Sequence, residues 1–286
     1  MKEFATDETY GLKNKAQVYI YDVDKNDFSI RNIKTIAHRT YLYSPLTEEN
    51  IRQSYMEDKL ADLESLLSTI WKEIAHENIY LTKNYKKSIA LFMATLMLRH
   101  PNMKDDIQNF RNKLCNDVLK NIPKGTKEFL LETKGKEMVV NIEEIYETLN
   151  ESEDDKKTFF IETLDRSAMN ITELLLKKKW SIIFSKEKEF ITSDQPVALS
   201  NPKTGLLGID SEGLIIYFPL SPTRLLVLED NLDNENDVTY YPLNKGKATY
   251  FNHPIFSNAY KYGISHRKFE EIIVEMDEYY GDKRGI

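Results

Sequence analysis

The amino-acid sequence predicts an α+β protein in which a mixed or antiparallel β-sheet is covered by a helical layer. Three observations carry this prediction. A stretch near the start alternates and contains a turn, a long middle region repeats its apolar residues every three to four positions, and a later region is made of short apolar runs before helical spacing returns. Elements of one kind are grouped along the chain instead of alternating, which is the mark of the α+β class. The 286 residues are read as a single domain.

The first element is a β-hairpin at about 16–32, within QVYIYDVDKNDFSIRN. Val18, Ile20 and Val23 flank the polar turn Asp24 to Asp27, and Phe28 and Ile30 follow it. The segment TIAHRTYLYSP, ending at Pro45, reads as a connector. A helical region is expected at about 47–179. Leu60, Leu63, Leu67, Ile70 and Ile74 form one stripe. Ser88 to Leu98 is apolar on every side, so its helix should be buried, with Pro101 ending it. Ile107, Phe110, Leu114 and Val118 share the face of a third helix that stops before Pro123, and a further helix follows the charge run Glu151 to Lys157. A β-rich region at about 180–230 comes next. WSIIFS and EFITS read as a hairpin turned at Lys186-Glu187-Lys188, followed by PVAL, LIIYF and RLLVL. At about 245–281 the pattern is helical again, with Phe269, Ile272, Ile273, Met276 and Tyr280 on one face.

Composition narrows the function classes. The net charge of −7 runs against a non-specific nucleic-acid binder, which needs many cations on one surface. The single cysteine, Cys115, excludes an intrachain disulfide and a Cys-rich zinc site. The longest apolar run is far short of the ~20 residues that span a bilayer, so no membrane is expected as a partner, and without a signal-peptide core the expected location is cytoplasmic. The five histidines, His38, His76, His100, His253 and His266, form no His-x-x-x-His or His-x-His pair. Phosphate-loop and Gly-x-Gly-x-x-Gly patterns are absent.

The candidate chemistry lies in EFITSDQPVALSNP, Glu189 to Pro202. A carboxylate at the lip of a strand, Asp194, suits a general base or a metal ligand, with Ser193 and Thr192 as hydrogen-bonding neighbours. The same residue types also make turns, because their side chains bond nearby backbone groups, and Pro196 fits that reading. Arg99 ends the most apolar helix, where a guanidinium can hold a phosphate or carboxylate in two places or simply complement the helix C-terminus. Ser221, within YFPLSPTRLLVL, is not in a Gly-x-Ser-x-Gly elbow, and its two flanking prolines favour a structured turn.

Together these stretches resemble an uncharacterised family, the domain of unknown function numbered 4238. Its hallmark is similar to Phe190 to Val197, with Gln195 variable; its Pro-Leu-Ser-Pro turn stands at Pro219 to Pro222 and its Arg-x-Pro at Arg99 to Pro101. VYIYDVD, Asn252 and the segment Ala259 to Tyr262 complete the match, which covers nearly the whole chain. The resemblance implies that Thr-Ser-Asp is more than an arbitrary turn, and it brings no activity with it. The family opens with a His-x-x-Pro segment, whereas here the match begins at Met1-Lys2-Glu3-Phe4, so the expectation is that an upstream in-frame segment encodes the opening.

The resulting functional expectation is a polar pocket where Asp194 meets Arg99. Asp194 and Ser193 are its candidate catalytic residues, and Arg99, Thr192, Ser221 and Asn252 its candidate ligand-binding residues. One carboxylate and one guanidinium suit a small anionic or phosphorylated ligand, with room for a divalent metal. The enzyme version is phosphoester hydrolysis in nucleic acid or nucleotide. The alternative is a non-catalytic binding or protein-interaction module.

Overall fold

The computed structural model describes residues 1–12, 15–36, 55–99, 103–133, 135–233, 236–244 and 246–281. The chain is α+β, with antiparallel and mixed sheets and helices grouped along the sequence. Its internal contacts divide it into two compact units. Residues 1–40, 60–98 and 167–286 form the first, and residues 41–59 and 99–166 the second. The expected connector up to Pro45 and the Pro101 stop lie wholly or mostly outside the described residues.

In the first unit the early hairpin forms as its turn dictates. β1 (Gln17–Asp22) and β2 (Asp27–Asn32) pair antiparallel, and Asn26 takes a positive φ of 51°, which Asn tolerates at such a turn. β1 also pairs with β11 (Tyr262–Ser265), and β11 with the two-residue β6 (Thr192–Ser193), giving a four-stranded antiparallel sheet. Phe4, Val18, Ile20, Ile36 and Ile264 pack together in one cluster. Tyr21 of β1 packs instead with Phe28, Phe256 and Phe269, at ring separations of 5.1, 5.5 and 5.9 Å.

The second sheet of this unit is five-stranded and mixed. Its order is β10 (Thr239–Pro242), β5 (Lys179–Phe184), β9 (Arg224–Glu229), β8 (Ile215–Ser221) and β7 (Ala198–Ser200), with β10 parallel to β5 and the rest antiparallel. Period-two alternation assigns the side chains to faces. Trp180, Leu228 and Ile216 form one row, and Ile182, Leu226 and Phe218 the next on the same face. That face meets α1 (Tyr55–Ile74) and α2 (Lys83–Leu98). Trp71 lies edge-on 5.8 Å from Phe218, and the Lys86 ammonium sits 5.2 Å over the Trp180 ring. No residue from Ser88 to Leu98 is exposed, as its unbroken apolar run predicts, and the expected α1 stripe is buried at Leu60, Leu67, Ile70 and Ile74. The opposite face carries Ala198, Tyr217, Leu225 and Val227, packed with Ile255 of α6 (Ala248–Ser257) and with Ile272 and Met276 of α7 (Phe269–Gly281).

The expected hairpin between WSIIFS and EFITS does not form. β5 pairs with β9 and β10, whereas Thr192–Ser193 joins the other sheet, so Lys186-Glu187-Lys188 carries the chain from one sheet to the other. The expected C-terminal helices are separated by β11, a strand too short to leave a periodic signal.

The second unit contains α3 (Met103–Asn121), β3 (Glu128–Thr133), β4 (Lys136–Asn141), α4 (Ile142–Leu149) and the first part of α5 (Glu153–Lys177). The β3–β4 hairpin interrupts a region read as helical. Apolar residues occupy both of its faces, through the facing pairs Leu130/Val139 and Leu131/Met138, so the alternation that marks a strand is missing. The expected apolar face of α3 is half open, with Phe110 64% and Leu114 50% exposed. A charge contact ties α3 down instead. The Arg111 guanidinium lies 3.8 Å over the Phe159 ring and donates to both Glu151 oxygens at 2.5 and 2.7 Å.

Two stability predictions follow from the first unit. A Cβ on Gly263 would lie 2.4 Å from the Phe269 ring, so Gly263→Ala is expected to lower the unfolding free energy by about 1–3 kcal/mol, with part of the loss recovered by adding Phe269→Leu. Urea midpoints check this, and an unshifted midpoint refutes it. His266 is buried with no hydrogen-bond partner for Nδ1. Burial first, then the charges of Lys188 and Arg267, hold its imidazole down from 6.5 to about 4, with Asp7 opposing. Between those values the unfolded chain binds more protons, so this contribution to stability is complete above pH 6.5 and lost as the pH falls toward 4. His266→Gln should flatten the urea midpoint against pH in that window; an unchanged slope would exclude the assignment.

Candidate functional site

The stretch from Glu189 to Leu199 leaves one sheet and enters the other, so several of its backbone groups have no strand opposite them. Buried amides need partners, because each one left unpaired costs about as much as a lost hydrogen bond. The Pro222 carbonyl accepts from the Glu189 and Phe190 amides at 2.7 and 2.8 Å. The Asn252 side chain, 2% exposed, then imitates a neighbouring strand: its Oδ1 accepts from the Ile191 amide at 3.1 Å and its Nδ2 donates to the Glu189 carbonyl at 2.8 Å. Asn258, at the C-terminal cap of α6, repeats the device at Leu199, accepting from its amide at 3.3 Å and donating to its carbonyl at 3.1 Å. Two asparagines six positions apart thus hold both ends of the stretch to one helix. Phe190 and Ile191 fill the core between them.

Asp194 closes the middle. Its amide donates to the Tyr262 carbonyl at 3.1 Å, its Oδ1 accepts from the Tyr260 amide at 3.0 Å, and its Oδ2 accepts from the Lys261 amide at 2.9 Å. Both carboxylate oxygens are therefore engaged by the backbone that enters β11. Burial raises its pKa, and the surrounding amide donors oppose that rise. The Ser193 hydroxyl donates to the Gln195 carbonyl at 2.7 Å and accepts from the Gln195 amide at 3.2 Å, making a local turn. Thr192 is buried in the pairing with Ile264. Ser221 donates to the Ala75 carbonyl at 2.8 Å and accepts from the Thr223 amide at 3.3 Å.

The structure brings Asp194, Ser193, Thr192 and Asn252 together along one short stretch. Ser221 adjoins it through the turn whose Pro222 carbonyl receives Glu189 and Phe190. Arg99, half-buried in the turn after α2, belongs to the second unit. None of these six residues lines the cavity described next. Among the described residues, no group of three or more His, Cys, Asp or Glu could hold a metal ion.

The first unit opens elsewhere. A cavity of about 690 Å³ lies on the sheet face that α6 and α7 cover, and its aromatic lining comes from Tyr217, Tyr241, Tyr250, Phe251 and Tyr279. Phe251 is edge-on to both Tyr217 and Tyr250, at 6.4 and 5.2 Å. Ser181, Asn244, Glu229 and Lys247 add polar groups. Burial, with the neighbouring Tyr250 and the Glu229 charge, pushes the Tyr217 phenol up, so it is a neutral hydrogen-bonding group at physiological pH. Sequence reading passed over these residues. Tyr217 sits inside YFPLSP, but tyrosines spread over 217–279 share no spacing.

A family model described as "Protein of unknown function (DUF4238)" matches residues 1–269. No curated protein and no solved structure matches the chain.

The clasp makes a graded prediction. Asp194→Ala removes two charge-assisted bonds and should cost about 2–3 kcal/mol. Asp194→Asn keeps one acceptor but turns an N–H group toward the other amide, so it should fall between wild type and Asp194→Ala in thermal midpoint. Asn252→Ala should cost about 1–3 kcal/mol, and its combination with Asp194→Ala should be less than additive because both hold the same stretch. Wild-type stability in Asp194→Ala would remove the clasp from the account.

Proposed function

The chain belongs to the DUF4238 family of proteins of unknown function, and for this member we propose a non-catalytic ligand-binding role centred on the tyrosine-lined cavity of the first unit. The observation that carries this reading is the contrast between two sets of polar groups. Asp194, the candidate base, has both oxygens accepting from backbone amides, the arrangement of a structural fastener. The Tyr217, Tyr241, Tyr250 and Tyr279 rings instead line a space of about 690 Å³, within the range that takes a small molecule.

The lining favours a ligand that contains a ring. Aromatic walls bind ring faces and edges through dispersion and quadrupole complementarity, worth about 0.5–1.5 kcal/mol per well-placed pair. Phenol hydroxyls, Ser181 and Asn244 supply donors and acceptors that fix orientation.

A thermal-shift screen of small aromatic compounds of neutral, cationic and anionic character tests the reading. At least one should stabilise the wild type, and Tyr250→Ala, half-exposed at the cavity edge, should weaken its binding by about tenfold or more. A screen with no stabilising compound would sink the binding site. A second assay addresses hydrolysis, following bis-p-nitrophenyl phosphate with Mg²⁺ or Mn²⁺. Turnover that disappears in a folded Asp194→Asn variant would restore the phosphoesterase reading, and no turnover is expected.

A further inference from the structure

We infer that the ligand of this cavity is an organic cation, a ring carrying an ammonium group; the inference rests on the cavity reading above and adds the sign of the ligand's charge. A second cavity of about 650 Å³ shares Leu243, Asn244 and Tyr279 with the first, so the two are compartments of one depression. The second is lined by Glu189, Glu275 and Glu278, and no described lysine or arginine lines it. The first adds Glu229 and one described cation, Lys247. Four glutamates therefore stand against one lysine among the described residues that line the two compartments.

The backbone that carries these glutamates is fixed before any ligand arrives. Glu189 has its amide on the Pro222 carbonyl and its carbonyl on Asn252, so its backbone cannot shift without breaking the clasp. Glu275 and Glu278 lie three apart on α7, on one helix face, and Arg267 pairs with Glu275 at 2.6 Å. Even with that pair counted, the described residues that line the second compartment carry more acidic than basic groups.

Two physical facts choose an organic cation over a metal ion or an anion. Among the described residues no three carboxylates converge as a metal ion requires, so the negative charge is distributed along a surface, as suits an ammonium group that also makes apolar contact. The neighbouring rings attract the same sign, because an aromatic face is negative and binds a cation within about 6 Å of its centroid. An anion would meet repulsion from the glutamates that line the two compartments.

The test uses one ring with three head groups: 2-phenylethylamine, 2-phenylethanol and 3-phenylpropionate, with arylalkylamines of one to four methylenes to cover the span. Calorimetric titration at low salt should show an amine binding at least about tenfold more tightly than the alcohol, with no heat from the propionate. The double variant Glu189→Gln, Glu278→Gln should bring the amine down to the alcohol's affinity, leave the alcohol unchanged and keep the wild-type urea midpoint. Equal binding of amine and alcohol, or preference for the propionate, overturns the charge inference while the cavity reading stands. Silence of every amine also overturns it, and silence of all three classes overturns the cavity reading as well.

Discussion

Most of the first unit depends on one constraint: a chain that crosses between two sheets must still satisfy its backbone hydrogen bonds. Between Glu189 and Leu199 only Thr192 and Ser193, beside β11, and Ala198 and Leu199, beside β8, have a strand next to them. Its backbone finds further partners in the Pro222 and Tyr262 carbonyls, two asparagine side chains and the Ser193 hydroxyl, while the Asp194 carboxylate ties the stretch to the backbone entering β11. Side-chain amides replace a strand well because they carry one donor and one acceptor at a spacing close to that of a peptide unit. A carboxylate serves where two adjacent amides, those of Tyr260 and Lys261, donate to one side chain, each to its own oxygen.

The cavity follows from the same arrangement. α6 is the helix whose asparagines hold the crossing stretch, so its place over the sheet is fixed by hydrogen bonds at Asn252 and Asn258. Ile255 reaches the core on one side, while Tyr250 and Phe251 turn toward the sheet face carrying Tyr217. The opposite face of that sheet is packed differently. Trp180, Ile182, Leu226 and Phe218 are buried there, and aromatic edge contacts among Trp71, Phe92 and Phe218 fill the space. Among the described residues, one face is packed by aromatic rings, and the other, braced by polar clips, keeps an opening.

The stretches that carry the family resemblance gain a shared physical meaning. VYIYDVD supplies β1, which lies beside β11; Ala259 to Tyr262 supplies the amides that Asp194 receives; the Pro-Leu-Ser-Pro turn supplies the carbonyl for Glu189 and Phe190; and Asn252 completes the imitation strand. These stretches, far apart in the sequence, meet at the crossing. A hallmark motif can therefore mark a folding constraint as readily as a chemical one. The tyrosine cavity belongs to none of these stretches except through Tyr217, two residues before Pro219.

What the sequence determined by itself was local. The α+β class, the hairpin at β1 and β2, the stripe of α1 and the buried character of α2 all follow from periodicity and turn chemistry within a few residues. The turn-forming role open to Ser193 was legible for the same reason, since its partner is Gln195. The pairing of Thr192–Ser193 with β11 was not legible, because the expected partner lay across a short turn and the real one lies some seventy residues away. Nor did sequence show that Asp194 receives two amides, or that tyrosines from β8, β10, α6 and α7 face one space. Those are facts about which segments meet. Local propensity does not encode them, because the energy that selects them comes from burying Phe190 and Ile191 with Tyr217, Val227 and Phe269 while Glu189, Phe190 and Ile191 still find partners for their amides.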